Sequence, residues 1–269
     1  MASLTIVLVP GAFHVDSSFN TLGAQLQQRG YNTRTWGLIT IDKPHISIDE
    51  DAKALANGML KPLIEEQGKN IVLYLHSYAG FPGSVAIAGL SKAERAAKGL
   101  QGGIIGLIYQ SAFIPHPGNT LFQMIGSNYT HWQAPDGTTG LITVIDPKGT
   151  FYADVSDTLG TEAANQIYPQ SLLSFNSPSG PVCYQDPAYN GRRVYMHTKE
   201  DQALPPRAQD MFVNDSGVIW KILKLDTGHS PFLSEPVHVA GIIDENTKDF
   251  LASFDTAGVS LIGGLSDYR

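Results

Sequence analysis

Short unbroken apolar runs recur along the chain, and between them apolar residues return every third or fourth position. Leu4–Val9, Ile71–Leu75 and Ile104–Ser111 read as strands buried on both faces. Tyr31–Trp36 and Arg193–Thr198 read as further strands. In Val218–Leu225, Ile219, Ile222 and Leu225 stand among polar residues, which places that strand nearer the sheet edge. The helical spacing predicts a helix from Ser17 or Ser18 to about Arg29, with Phe19, Leu22 and Leu26 on one face and Gly30 closing it. A second runs from Asp49 to about Gln67, kinked at Pro62. A third, Tyr78–Leu90, is broken near its start by Pro82 and Gly83. Ser91 and Glu94 have capping-box spacing in a short exposed insertion. Pro205-Pro206 opens a helix to about Asn214, and Glu235–Phe254 is the last, followed by a Gly- and Ser-containing tail, Asp255–Arg269.

Strands that alternate with helices predict an α/β fold: a mostly parallel sheet with helices on both faces. The rhythm fails between residues 114 and 190, a stretch rich in proline and aromatic residues. So much irregular chain between regular units is usually functional. It is expected to be a cap inserted over a core of residues 1–113 and 191–269, with short helices at Leu121–Ile125 and Glu162–Tyr168.

Composition narrows the class. Over 269 residues, 42% are hydrophobic and 16% charged, enough for a core and without a disorder signature. The net charge of -7 argues against a nucleic-acid or anionic-membrane partner, which would need a basic face. Cys183 is the only cysteine, so no intrachain disulfide can form, and a buried thiol is expected. The N-terminal apolar run lacks a basic flank and ends at Pro10-Gly11, which fits a strand and not a signal peptide. A cytoplasmic location is expected. The sequons at Asn128 and Asn214 then carry no weight. The pair Gly102-Gly103 precedes its strand, the wrong order for a dinucleotide loop. Oligomeric state is left open, a homodimer included.

The candidate chemistry starts at His76-Ser77-Tyr78-Ala79-Gly80, where a buried run stops at a serine before a helix. A serine on such a sharp turn presents its hydroxyl to a base. Leu75 and Ala79 replace the usual glycines, so the five residues alone do not separate a nucleophile from an ordinary strand end. The order of other residues does. Ala12–His14, Ser77, Asp201 and His229 each lie in the first loop after a predicted strand, where parallel sheets gather their functional groups. A serine hydroxyl needs a base, for which His229 is the candidate, and the imidazole needs a carboxylate, for which Asp201 is the candidate. Asp226 is a rival only by closeness to His229 in sequence. Oxyanion donors would be the backbone N–H groups of Ala12 and Tyr78. Phe13 and His14 in the first loop, and Trp132, Phe151 and Tyr152 in the cap, are candidate substrate-binding side chains; Phe175 and Tyr184 are further aromatics there. His76 reads as a packing or hydrogen-bonding residue. His197 could suggest a metal site with Asp201 and His229, but nothing else supplies ligand spacing.

The stretches Val7–His14, His76–Gly80, Glu200–Pro205 and Gly228–Phe232 resemble the α/β-hydrolase superfamily, and within it the plant methylesterase and hydroxynitrile lyase group and its fungal relatives. The resemblance implies the α/β-hydrolase fold, Ser77 as nucleophile, Asp201 as acid, His229 as base, and neither metal nor organic cofactor. Pro10 stands where a histidine is common. Ser230 stands where the lyases carry a lysine, which argues against cyanide release. The expected activity is hydrolysis of an ester or lactone of a small, largely apolar or aromatic molecule through an acyl-enzyme. A non-hydrolytic enzyme of the same fold (lyase, acyltransferase, cyclase or decarboxylase) and a ligand-binding protein are the alternatives.

Overall fold

The computed structural model describes residues 4–262, with side chains described to residue 254. Its strands are Leu4–Val9 (β1), Asn32–Thr35 (β2), Asn70–His76 (β3), Gly103–Gln110 (β4), Gln133–Asp136 (β5), Leu141–Val144 (β6), Gln170–Ser171 (β7), Arg193–Thr198 (β8) and Lys221–Leu225 (β9). The large sheet has the order β2-β1-β3-β4-β8-β9, and every pairing in it is parallel. β9 is an edge strand, as its alternating pattern predicts.

Unbroken apolar strands need cover on both faces. Ile6, Leu8, Val72 and Tyr74 pack with Phe19, Leu22 and Leu26 and with Val239, Ala240 and Ile243 of the helix Pro236–Ile262. The alternate residues Val7, Val9, Leu73 and Leu75 face the other way, toward Ile48, Ala52, Leu55 and Phe81. Each such side chain, fully buried, contributes roughly 1.5–3 kcal/mol. Parallel pairing also brings all strand C-termini to one edge, so the loops after β1, β3, β4, β8 and β9 open on one side.

Several expected elements differ in detail. Ser47, not Asp49, opens the second helix through a full capping box with Glu50. That helix meets Pro62 by widening into π turns at Ala56–Leu60 and Pro62–Glu66. Pro82 does not break its helix: it sits in the first turn of Gly80–Ala86, where a missing N–H costs nothing. The segment around Ser91 is not wholly exposed, since Ser91 and Arg95 are buried. The helix Glu162–Tyr168 is instead Asp157–Ala164. The last helix continues to Ile262; the remainder of the expected tail lies outside the described residues.

Residues 114–190 carry the antiparallel sheet β5-β6-β7 and short helices. Their aromatic side chains do not form a core of their own. Trp132, Phe151 and Phe175 belong to the same apolar cluster as one face of the large sheet.

Candidate active site

β3 ends at His76, and Ser77 turns the chain into a short 3-10 turn, Ser77–Ala79. Ser77 has φ 54°, a left-handed conformation that costs a non-glycine residue about 1–3 kcal/mol. Its carbonyl accepts a 3.1 Å bond from Phe113 N–H after β4. Small residues let the turn close. A Cβ on Gly11 would stand 2.7 Å from Ser77 Cβ, and one on Gly80 would run into the Phe113 carbonyl. Leu75, the residue that departs from the usual motif, is absorbed at Gly83: a Cβ there would be 2.5 Å from both of its δ carbons.

His229 and Asp201 meet at the same sheet edge. His229 Nδ1 and Asp201 Oδ2 are 2.8 Å apart, with both side chains buried. The same Oδ2 accepts from Thr198 Oγ1 at 2.8 Å, while Oδ1 accepts from Ala203 N–H at 2.9 Å and Leu204 N–H at 2.7 Å. The carboxylate is therefore fixed from several sides, and the imidazole ring is oriented by it. Phe151 packs against the ring at 5.6 Å between centroids. Ser77 and His229 line one cavity, but no hydrogen bond joins them. Asp226 is turned away: it pairs with Lys199 at 2.6 Å on the surface.

Of the N–H groups from Gly11 to His14, one is unused. Gly11 N–H bonds His76 Nδ1 at 3.3 Å, Phe13 N–H bonds Gln170 Oε1 at 3.3 Å, and His14 N–H bonds the Gly11 carbonyl at 3.3 Å. Pro10 has no N–H. Ala12 N–H alone has no acceptor among the described residues, and Ala12 lines the cavity. Tyr78 N–H lies in the first turn after Ser77, where backbone donors have no intrahelical acceptor, and among the described residues no loop carbonyl or side chain takes it.

His76 ties these loops together. Because Gly11 donates to Nδ1, the ring proton is on Nε2, which donates to the His229 carbonyl at 3.1 Å. Burial, and then the neighbouring His229 and His14, hold its pKa well below the usual imidazole value. His14 donates from Nδ1 to the Ala12 carbonyl at 2.7 Å; its Nε2 is buried without a partner, and burial lowers its pKa to about 4. Both rings are neutral at pH 7, His76 as a clamp and His14 as a brace on the Ala12 peptide.

Ser77 and His229 both line the cavity, which is tight and mostly apolar. Phe13, Trp132, Phe151 and Phe175 form its aromatic wall, with Phe13 and Phe151 stacked at 6.0 Å. Of the side chains expected to touch substrate, His14 and Tyr152 are not on this wall. His14 sits behind it, and Tyr152 faces a separate surface depression beside Ser17 and Leu159. Tyr184 packs against Tyr109 and Trp220, away from the cavity. Phe113, Leu121, Ile125 and Leu204 also line it and carry no chemical signal in sequence. Thr130 and Gln133 give it polar positions, and Gln133 stands next to Trp132, the only hint of its place.

The remaining candidates separate. His197 bonds the Pro206 carbonyl and Asp210 instead of joining His229. Among the described residues no group of three or more His, Cys, Asp or Glu is placed to hold a metal ion, and no helix is long and apolar enough to cross a membrane. Cys183 is half-buried and not fully so, and burial raises its thiol pKa.

A sequence profile described as the alpha/beta hydrolase family matches residues 6–240. The chain is 22% identical over 249 residues to an alpha/beta hydrolase of Aspergillus novofumigatus, covering 90% of this chain and 96% of that one. Its fold is similar to a pyrethroid hydrolase of Sphingobium faniae, with TM-score 0.71, 18% identity, and coverage of 91% and 97%. It is also similar to a methylesterase of Arabidopsis, with TM-score 0.67, 20% identity, and coverage of 91% and 99%.

Proposed function

The chain belongs to the alpha/beta hydrolase family, and on that premise we propose that it is a serine hydrolase cleaving an ester or lactone of a small, largely apolar or aromatic molecule. The carrying observation is the conjunction at one cavity: Ser77 on a left-handed turn, the buried His229–Asp201 pair, and two unpaired N–H groups, of Ala12 and Tyr78. In this reading Ser77 Oγ attacks the carbonyl carbon while His229 Nε2 takes its proton. The oxyanion forms against Ala12 and Tyr78 N–H, and collapse expels the alcohol, which receives the proton from His229. Water then attacks the acyl-enzyme by the same route and frees the acid. Asp201 holds the imidazole tautomer and stabilises the imidazolium. The Ser77–His229 hydrogen bond forms in this reading as substrate binds, since catalytic hydrogen bonds are often long in the free enzyme.

Residues 114–190 act as a cap on this site, supplying Trp132, Phe151 and Phe175. The fungal relative named alpha/beta hydrolase and the two hydrolytic structural neighbours agree with the reading. The cavity narrows the substrate further. Among the described residues, Thr130 Oγ1 is buried without a partner and the Gln133 amide nitrogen has no acceptor. A substrate with an oxygen-bearing group remote from the scissile carbonyl would satisfy both. Steady-state hydrolysis of p-nitrophenyl esters of graded acyl size tests the reading. Turnover is expected in the wild type and lost in Ser77→Ala and His229→Ala; full activity in Ser77→Ala contradicts it.

One observation favours a second reading, a non-hydrolytic proton-transfer enzyme on the same fold: Ser77 and His229 share no hydrogen bond. Such an enzyme would keep activity on its own substrate after Ser77→Ala and lose it after His229→Ala.

A further inference from the structure

Four buried side chains link the two unpaired N–H groups through the protein interior. Tyr78, whose N–H is one of them, donates from its hydroxyl to Asp51 Oδ2 at 3.0 Å. Thr40 Oγ1 donates to the same oxygen at 2.7 Å and accepts from Gln170 Nε2 at 2.7 Å. Gln170 Oε1 accepts from Phe13 N–H at 3.3 Å, in the peptide that follows Ala12. Asp51, Thr40 and Gln170 are all 0% exposed and Tyr78 is 1% exposed, so water does not compete for these bonds. Each donor and acceptor role is consistent along the path. Asp51 Oδ1 is occupied as well, by Ile39 N–H at 2.8 Å and Thr40 N–H at 3.3 Å.

Phe13 shows why the tie is needed. Its φ is 70°, a left-handed conformation that a residue with a Cβ holds only when its surroundings over-determine it. The carbonyl of Phe13 accepts from Tyr168 N–H at 3.0 Å, and its N–H is held by Gln170. Residues 168 and 170 thus grip the peptides on both sides of Phe13, and the first of these, Ala12–Phe13, adjoins the peptide that carries Ala12 N–H. On the other side, Asp51 holds the Tyr78 ring, which stacks on Phe175 at 6.2 Å.

We propose that Asp51 and Gln170 are positioning residues for the oxyanion hole, aligning the Tyr78 and Ala12 N–H groups through one buried hydrogen-bonded path. The inference rests on the hydrolytic reading of Ser77. An oxyanion forms in both acylation and deacylation, so misalignment slows whichever step limits kcat, while Trp132, Phe151, Leu121 and Ile125, which the path does not touch, keep the binding wall. A merely structural role would lower thermal stability without changing kcat per folded molecule.

The test uses Gln170→Met and Tyr78→Phe, two near-isosteric changes that each cut the path. Kinetics with p-nitrophenyl butyrate are read at a temperature well below each variant's unfolding midpoint. The expected result is a fall in kcat of about tenfold or more per variant, below the ~10²–10³ for removing a donor outright, with KM within about twofold. Unchanged kcat in both folded variants, or a rise in KM alone, overturns the proposal. Should Gln170→Met not fold, Tyr78→Phe decides, since it removes only a hydroxyl. The wild type beside Ser77→Ala separates the two levels. Absence of Ser77-dependent turnover in the wild type overturns the hydrolytic reading and this proposal with it; wild-type turnover with unaffected variants overturns this proposal alone.

Discussion

Asp201 and Asp51 are both buried carboxylates close to Ser77, and they differ in what they face. Asp201 meets an imidazole, alongside Thr198 and two backbone N–H groups. Asp51 meets only neutral donors: Tyr78, Thr40 and two backbone N–H groups. Burial raises the Asp51 pKa to about 6, and its hydrogen bonds only partly offset that. A buried carboxylate beside a base can stabilise a transient cation. One beside neutral donors can only hold geometry. The chemistry of the two sides of Ser77 is divided accordingly, acid–base work on the His229 side and alignment on the Tyr78 side.

The sharpest way to break this contrast is to remove each charge. Asp201→Asn leaves the shape but favours the wrong imidazole tautomer, and kcat is expected to fall by roughly 10³–10⁴-fold. Asp51→Asn is expected to cost about tenfold, within the range set by loosening one oxyanion donor. Equal losses in steady-state kcat would erase the distinction.

Stability against pH separates Asp51 in the other direction. Its folded pKa, about 6, is above its unfolded value, so the folded state binds more protons between about pH 4 and 6. Its contribution is fully present below pH 4 and is lost as pH rises through 6, by up to roughly 3 kcal/mol at about 1.4 kcal/mol per unit. His14 and His76, with lowered pKa values, act oppositely: their contribution is present above about 6.5 and lost as pH falls. Thermal midpoints of wild type and Asp51→Asn isolate the first effect. The difference is expected to move in favour of Asn between pH 4 and 7; a constant difference contradicts it.

The smallest predicted effect compares two hydroxyls. Thr40→Val and Thr198→Val each remove a donor to a buried carboxylate, and each should cost about 1–3 kcal/mol of stability. Thr40→Val also cuts the path to Gln170, and Thr198→Val loosens the carboxylate that orients His229, so each should lower kcat at unchanged KM, by less than loss of the corresponding carboxylate. Unchanged kcat in folded Thr40→Val would contradict the alignment role.

What was legible in sequence follows from this division. Ser77, Asp201 and His229 each follow an apolar run, and parallel pairing brings such ends together whatever lies between. The alignment side was not legible. Asp51 does interrupt an apolar helical stripe, with Ile48, Ala52 and Leu55, and a carboxylate there is a signal of buried pairing. Gln170, however, lies in a stretch with no periodic pattern, and only the fold brings it to Thr40. His14 and Tyr152 were misplaced for a related reason: aromatic character marks burial but not which cavity a ring faces. Leu75 replaces a usual glycine of the turn, and its compensation at Gly83 becomes visible only once the helix packs on β3.

The central claim is that His229 activates Ser77. Fluorophosphonate labelling followed by intact mass measures this directly on wild type, Ser77→Ala and His229→Ala. The account predicts a single adduct on wild type, none on Ser77→Ala and a severe slowing on His229→Ala. An adduct that persists on Ser77→Ala, or no adduct on folded wild type, would contradict it.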